Sequence, residues 1–176
     1  MLDERNVPVL ASGLDAIRSL AVMVDLQDAY RQAFREMVSA APRETLRSDG
    51  LKYLKTIESQ WTLSILLILW KESGFVADAD LAALGMCKTF PDGINCNQLA
   101  IAVARSPAEV GRTIKRIDMI VEAGEAFGLV QREQPKASRI WWLSGTEKLN
   151  LFMLRFAHLL AEIGVTGIGG EPWPGE

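Results

Sequence analysis

The fold of this chain is decided by residues 97–145, which read NQLAIAVARSPAEVGRTIKRIDMIVEAGEAFGLVQREQPKASRIWWLSG. Residues 97–104 predict a short apolar helix, and a longer helix follows after a brief link. Ser106 is placed to be the N-cap of the longer helix, and Pro107 fits its first position. Glu109 stands three residues after Ser106, so the start of this helix predicts a capping box.

A two-stranded hairpin is expected after the longer helix, which should end near Gly124. Residues 127–132 (FGLVQR) and 139–143 (RIWWL) predict strands, and EQPKAS between them predicts a turn. A short helix, a tight link, a capped longer helix and a hairpin, in this order, are typical of a winged helix-turn-helix. In that fold the longer helix enters the major groove of DNA.

The longer helix should have one apolar side and one basic side. At 100° per residue, its core-facing positions are Val110, Ile114, Ile117 and Val121. Arg112, Lys115 and Arg116 fall on the opposite side, near the N-terminal half. Arginine pairs bidentately with guanine edges, and lysine or arginine neutralises phosphate. We therefore expect Arg112 and Arg116 to reach base edges and Lys115 to contact phosphate.

Helical periodicity predicts four more helices around this region. Their expected ranges are about 13–41, 50–71, 78–84 and 146–163, and residues 88–94 (KTFPDGI) predict a loop. The first of these helices has a drifting apolar surface, which is typical of a helix with several neighbours, a second copy of the chain among them. The expected fold is mainly α with a small β-wing: a winged helix-turn-helix flanked by long dimerisation helices.

Charge and composition narrow the classes of function. The 176 residues carry a formal net charge of −3, which excludes a polybasic protein but leaves room for a local basic face. Between Asn95 and Lys148 we count eight cations and six carboxylates, so this stretch is the basic part of an acidic chain. The longest apolar run, WTLSILLILW (residues 61–70), is about half of a membrane span and predicts a buried helix. With no export signal recognised, a cytoplasmic protein without a membrane partner is expected.

Residues 95–163 resemble the DNA-binding core of the MarR-type winged-helix regulators. The matching features are Leu99-Ala100 before the longer helix, its start at Ser106, the strand Gly128–Arg132, the basic wing tip from Lys136 to Arg139, and Leu143-Ser144 before the last helix. The family's Asp-x-Arg wing signature is absent, because the wing here reads QPKASR. Residues 78–94 look like an insertion relative to the family.

The resemblance implies a homodimeric, sequence-specific regulator of transcription that binds double-stranded DNA at two-fold sites, and it leaves open a small-molecule effector. The residues expected to contact DNA are Arg105, Ser106, Arg112, Thr113, Lys115, Arg116, Arg132, Lys136, Ser138 and Arg139. The expected organisation is an N-terminal segment (1–12), a helical dimerisation and support region (13–94), the winged helix-turn-helix (95–145), a C-terminal dimerisation helix (146–163) and a flexible tail (164–176).

Two alternatives stay open, and a third class is disfavoured. The net acidity, the carboxylates beside the basic face and the missing wing signature favour a winged helix that binds protein instead of DNA. A plasmid- or phage-type replication protein uses the same winged domain. An enzyme is not expected, because the single histidine, His158, and the scattered carboxylates do not assemble a catalytic set. We also expect no cofactor and no metal, since no cluster of histidines and cysteines has zinc spacing.

Overall fold

The computed structural model describes residues 25–40, 59–83, 90–104 and 106–162, and these are mainly helical with a small antiparallel sheet. The predicted N-terminal segment and tail lie outside them. The described helices are α1 (residues 25–40), α2 (Ser59–Glu72), α3 (Asp78–Ala83), α4 (Cys96–Val103), α5 (Val110–Ala126) and α6 (Glu147–Glu162). The strands are β1 (Ile94–Asn95), β2 (Val130–Glu133) and β3 (Trp142–Gly145). The coarse expectation, mainly α with a small β part, is confirmed.

The buried apolar residues form one core cluster to which every described helix and all three strands contribute. Every residue of α2 from Ile65 to Trp70 is buried, as expected for its long apolar run. Tyr30 of α1 places its ring edge-on against Phe152 and Phe156 of α6, at centroid distances of 5.8 and 6.0 Å. None of the described helices is long and apolar enough to cross a membrane.

The apolar face of α6 is covered by the same chain. Its buried residues are Leu149, Phe152, Met153, Phe156, Ala157, Leu159 and Leu160. On the outer side, Arg155 makes two contacts with Glu36 of α1, from Nε to Oε2 at 2.7 Å and from Nη2 to Oε1 at 3.0 Å. Leu151 is the exposed apolar residue of this helix, at 64%. Dimerisation through α6 stays a prediction, and it would have to use the outer side near Leu151.

The sheet has the order β1-β3-β2, and both pairings are antiparallel. Strand β1 was not expected, because residues 88–94 predicted only a loop. The described part of that segment does turn at Pro91–Gly93, but Ile94 is fully buried and pairs with Leu143 of β3. One apolar residue after the turn is enough to form a short edge strand, because β3 offers it an apolar partner.

The predicted start of the longer helix is wrong in its detail. Pro107–Glu109 form a 3₁₀ turn ahead of α5, and the Ser106 side chain makes no capping hydrogen bond. The capping box is instead at the start of α4. There the Asn95 carboxamide oxygen accepts from the backbone N–H of Asn97 and Gln98 at 3.0 and 3.1 Å, and the Gln98 side chain accepts from the Asn95 N–H at 3.0 Å.

The predicted end of the longer helix is also wrong. Gly124 lies inside α5 and is buried against β2, where a Cβ atom would come within 2.8 Å of Val130 Cγ2. Its role is to allow close packing, and the helix continues to Ala126. The turn out of the helix comes at Gly128, whose φ of +71° suits glycine. The hairpin strands consequently begin about three residues later than the sequence predicted.

Candidate nucleic-acid interface

Helix α5 is held by its buried face and by its C-terminal end. Ile117 and Val121 are fully buried, while Val110 and Ile114 pack against the core in a partly buried position, as their spacing predicted. Beyond the end of the helix, the Lys148 ammonium donates to the carbonyl oxygen of Phe127 at 2.8 Å. The Thr146 hydroxyl donates to the Gly128 carbonyl oxygen, so the start of α6 is tied to the end of α5.

The N-terminal half of α5 carries the predicted cations Arg112, Lys115 and Arg116, which we call the cationic edge. All three side chains are exposed. Arg112 and Lys115 make no ion pair with any carboxylate among the residues the structure describes. Their charges are therefore available to an anionic partner, on the side of the helix that faces away from the core.

Arg116 is positioned differently from the other two cations. Its guanidinium lies 5.5 Å from the centroid of the Trp61 ring, at the start of α2. A cation over an indole face is attracted by the ring quadrupole, which favours this arrangement at a partly exposed site. The prediction paired Arg116 with Arg112 as contacts for base edges. In this structure only Arg112 of that pair points away without a protein partner among the described residues.

Two further predicted DNA contacts near the N-terminal end of α5, Thr113 and Ser106, are less exposed than the cations. Thr113 is only 1% exposed, so its side chain belongs to the buried face of α5, and we correct its assignment as a surface contact. The 100° step from Arg112 explains this, because it carries the next residue around to the core side. Ser106 is half-buried just ahead of the 3₁₀ turn. Arg105 lies outside the described residues.

From its middle to its C-terminal end, α5 bears Asp118, Glu122 and Glu125, which we call the acidic edge. Glu125 accepts a hydrogen bond from Arg132 of β2, with Nη2 and Oε2 2.6 Å apart. This hydrogen bond, more than the nearby charges, raises the pKa of Arg132. The predicted DNA contact Arg132 is therefore engaged inside the protein.

Asp118 of the acidic edge faces Cys96, the first residue of α4. The pKa of the Cys96 thiol is raised to about 11, first by burial and then by the charge of Asp118 and a hydrogen bond to it. A thiol in such surroundings stays protonated at neutral pH and is a poor nucleophile. A reactive redox role for Cys96 is therefore disfavoured, and Cys87 lies outside the described residues.

The loop between β2 and β3 (residues 134–141, the β2–β3 loop) presents two more predicted cations, Lys136 and Arg139, both exposed. Neither pairs with a carboxylate in the described part of the chain. The predicted contact Ser138 is half-buried and holds the loop: its backbone N–H donates to the Pro135 carbonyl oxygen, and its hydroxyl accepts from the Ile140 N–H. Ala137 has a φ of +72°, a left-handed conformation that is costly without glycine.

The two adjacent tryptophans at the end of this loop have different surroundings. Trp142 is half-buried and packs on Gly93, where a Cβ atom would meet its ring at 3.2 Å. Trp141 is 48% exposed, and the Arg132 guanidinium lies 6.0 Å from its ring centroid. A chain of contacts therefore runs from α5 to the loop through Glu125, Arg132 and Trp141. Sequence reasoning did not find it.

No protein-family model, curated protein or solved structure matches this chain. The site must therefore be interpreted from its own chemistry. Among the described residues no group of histidine, cysteine and carboxylate side chains is arranged to hold a metal ion. What the geometry offers is four exposed cations that pair with no described carboxylate, two on α5 (Arg112 and Lys115) and two on the β2–β3 loop (Lys136 and Arg139).

Proposed function

We propose that the chain is a homodimeric, sequence-specific regulator that binds double-stranded DNA through a winged helix-turn-helix. The order of elements supports this proposal: α4 and α5 would be the helix pair, and β2, the β2–β3 loop and β3 would be the wing. The short strand β1 joins the wing sheet just ahead of the helix pair. In this proposal α5 is the recognition helix.

The observation that carries the proposal is the exposure of Arg112 and Lys115 without an ion pair to any described carboxylate. Cations on a surface helix are ordinarily placed near carboxylates at helical spacing, where they gain a few tenths of a kcal/mol. On α5, Asp118 stands at this spacing, three residues after Lys115, yet Lys115 makes no ion pair with it. The two unpaired cations leave positive charge on the part of the helix that a major groove would receive, and Lys136 and Arg139 of the β2–β3 loop would neutralise flanking phosphates.

The test is enrichment of sheared genomic DNA by the purified protein, followed by sequencing. We expect the wild type to enrich a two-fold-symmetric site and an Arg112→Ala/Lys115→Ala variant to lose that enrichment. The matched control is Arg31→Ala/Arg35→Ala, which removes two exposed cations from α1. If the control loses enrichment as strongly as the α5 variant, general charge and not α5 carries the binding. If the wild type enriches no DNA, the proposal is wrong.

The second candidate is a winged helix that binds another protein. The observation that favours it is the exposure of Ile140 and Trp141 beside a helix edge rich in carboxylates. Salt dependence separates the two candidates, because displacing counterions from DNA phosphates makes affinity fall steeply with added salt. Binding through an apolar protein surface has no such slope.

The remaining parts of the proposal depend on the same DNA experiment. A two-fold site needs two copies of α5 about one helical turn of DNA apart, so homodimerisation is part of the proposal. A symmetric site in the enriched sequences would support it, and sedimentation of the protein with and without DNA would test it. An effector would be found as a small molecule that changes the affinity for the enriched site.

A further inference from the structure

We propose that Arg132 is a positioning residue that holds Trp141 as an apolar wedge for the minor groove of DNA. This role replaces the phosphate contact that the sequence predicted for Arg132. The inference rests on the proposed function, because it names what the wing offers to the same DNA. Three observations support it: the pairing of Arg132, the register of the sheet, and the exposure of the loop.

The charge of Arg132 is already neutralised within the protein. Its guanidinium donates to Glu125 at 2.6 Å, both side chains are 31% exposed, and Glu122 lies near enough to raise the pKa of Arg132 further. A phosphate that recruited this arginine would have to displace a charge-assisted hydrogen bond and leave Glu125 facing the DNA. Holding the loop is a role that keeps the ion pair intact.

The sheet register puts Arg132 in reach of Trp141. Arg132 pairs directly with Leu143, and Trp141 stands two residues before Leu143 on the same chain. Residues two apart along extended chain point to the same face, so Arg132 and Trp141 are diagonal neighbours on the side that faces α5. The 6.0 Å contact between guanidinium and indole then fixes one face of the ring.

The remaining surface of Trp141 is left for a partner. Trp141 and the adjacent Ile140 are 48% and 50% exposed, and they are two of the four large hydrophobic residues that are exposed among those described. The cations Lys136 and Arg139 precede them in the same loop and pair with no described carboxylate. These cations favour a polyanion as the occupant, and Arg132 offsets the charge of the nearby Glu125. Minor-groove proteins combine cations of this kind with apolar side chains that press between base steps.

The test compares salt dependence for single variants that bind a mixed-sequence DNA duplex long enough to hold two half-sites. A residue that neutralises a phosphate lowers the slope of log affinity against log salt by about one when it is removed. We expect Arg132→Gln and Trp141→Ala each to weaken binding about fivefold to tenfold with the wild-type slope retained. Trp141→Phe should restore most of the affinity.

The Glu125→Gln variant best distinguishes a carboxylate that merely lies near DNA from one that holds Arg132 in place. If Glu125 acted only as a carboxylate near DNA, its neutralisation would tighten binding. Because it holds Arg132 in this proposal, Glu125→Gln should weaken binding to the same extent as Arg132→Gln, and the double variant should be no weaker than either single one. Arg31→Gln, which breaks an exposed ion pair with Asp28 within α1, is the matched control and should bind as the wild type does.

A second measurement, on the protein without DNA, distinguishes failure of this inference from failure of the proposed function. Fluorotryptophan gives one fluorine signal for each of the five tryptophans, and Trp141→Phe assigns the signal of Trp141. Arg132→Gln and Glu125→Gln should both shift this signal, and Arg31→Gln should not. Tighter binding by Glu125→Gln, a reduced salt slope for Arg132→Gln, or an unshifted Trp141 signal would each overturn the inference. A wild type that fails to bind any duplex would overturn the proposed function as well.

Discussion

The two halves of α5 use their charges in opposite ways. In the N-terminal half, Arg112 and Lys115 extend away from the protein without a described carboxylate to pair with. From the middle of the helix to its C-terminal end, the charge of Asp118 helps to raise the pKa of the Cys96 thiol, and Glu125 is paired with Arg132. The same helix therefore has one half that is electrostatically open and one that is built into its neighbours.

This difference explains why a chain with net negative charge still offers a basic surface. Arg132 of β2 offsets the charge of Glu125, and no carboxylate of α5 pairs with Arg112 or Lys115. The position of a charge on the helix, more than the total charge, decides what the surface attracts.

The largest effect is expected on the alkylation rate of the Cys96 thiol, whose pKa the charge of Asp118 on α5 helps to raise. With a pKa of about 11, the thiolate fraction at pH 8 is small, and alkylation in a Cys87→Ser background should be on the order of a hundredfold slower than in urea. Asp118→Asn should speed alkylation in the folded protein. A native rate equal to the rate in urea would contradict the burial of the Cys96 thiol.

The same thiol gives a pH dependence with a definite sign. Its folded pKa lies above the unfolded value of about 8.5, so burial of the neutral thiol stabilises the fold fully below that value. This contribution is lost as the pH rises from about 8.5 towards 11. Urea denaturation across this pH range should therefore show a smaller loss in the free energy of unfolding for the Cys87→Ser/Cys96→Ala variant than for the Cys87→Ser variant.

Measurements of DNA affinity test the role of the N-terminal half of α5. Arg112→Ala should cost roughly 1–3 kcal/mol at an enriched site and relax base preference at one position. Lys136→Ala, in the β2–β3 loop, should instead weaken all sequences evenly and reduce the salt slope by about one. Titrations of matched and mutated sites at several salt concentrations distinguish the two. If Arg112→Ala left the base preference unchanged, α5 would not be reading sequence.

Packing provides the next comparison, between the two glycines of α5. Gly124→Ala would push a Cβ atom to 2.8 Å from Val130 Cγ2, so we expect a loss of about 1–3 kcal/mol in the free energy of unfolding. Gly111→Ala has open space around its Cβ and should gain about 0.5–1 kcal/mol, because alanine favours helix. Urea denaturation measures both. Equal effects would mean that α5 does not pack against β2 as described.

The smallest effect separates two arginines of the cationic edge. Arg116→Ala removes the guanidinium over Trp61 and should lower the free energy of unfolding by about 0.5–1 kcal/mol. Arg112→Ala should leave it within about 0.5 kcal/mol of the wild-type value, because no described group depends on that side chain. Trp61→Phe in the Arg116→Ala background should then cost less than it does alone. An Arg112→Ala variant that is the less stable of the two would reverse our assignment.

Much of the fold follows from periodicity. The range of α4 was predicted to within a residue, and the short helix α3 and the buried α2 were expected from their apolar spacing. The helix boundaries of α5 were missed for a specific reason. Gly124 suggested a stop, but its lack of a side chain serves contact with Val130, a residue whose position depends on tertiary structure. The capping box at Asn95 has an Asn-x-x-Gln pattern in the sequence, but a capping box was predicted only at Ser106.

The candidate site could be predicted only in part. The helical angle predicted that Arg112, Lys115 and Arg116 would be exposed, because the spacing of the buried residues fixes the opposite side. The same angle argued against Thr113, and this signal was overlooked. The partners of Arg116 and Arg132 had no signal in the sequence, since Trp61 lies on another helix and Trp141 across a hairpin whose register was not known.

The tie between the end of α5 and the start of α6 has a mechanical consequence. Lys148 and Thr146 hold the carbonyl oxygens of Phe127 and Gly128, so the two helices share a joint at this point. Helix α6 is in turn fixed to α1 through the pair of Arg155 and Glu36. We therefore expect a shift of α1 or α6 to move the C-terminal end of α5. Because a helix is rigid, its N-terminal end would move as well. The angle at which Arg112 and Lys115 meet a partner is then set by packing on the other side of the molecule.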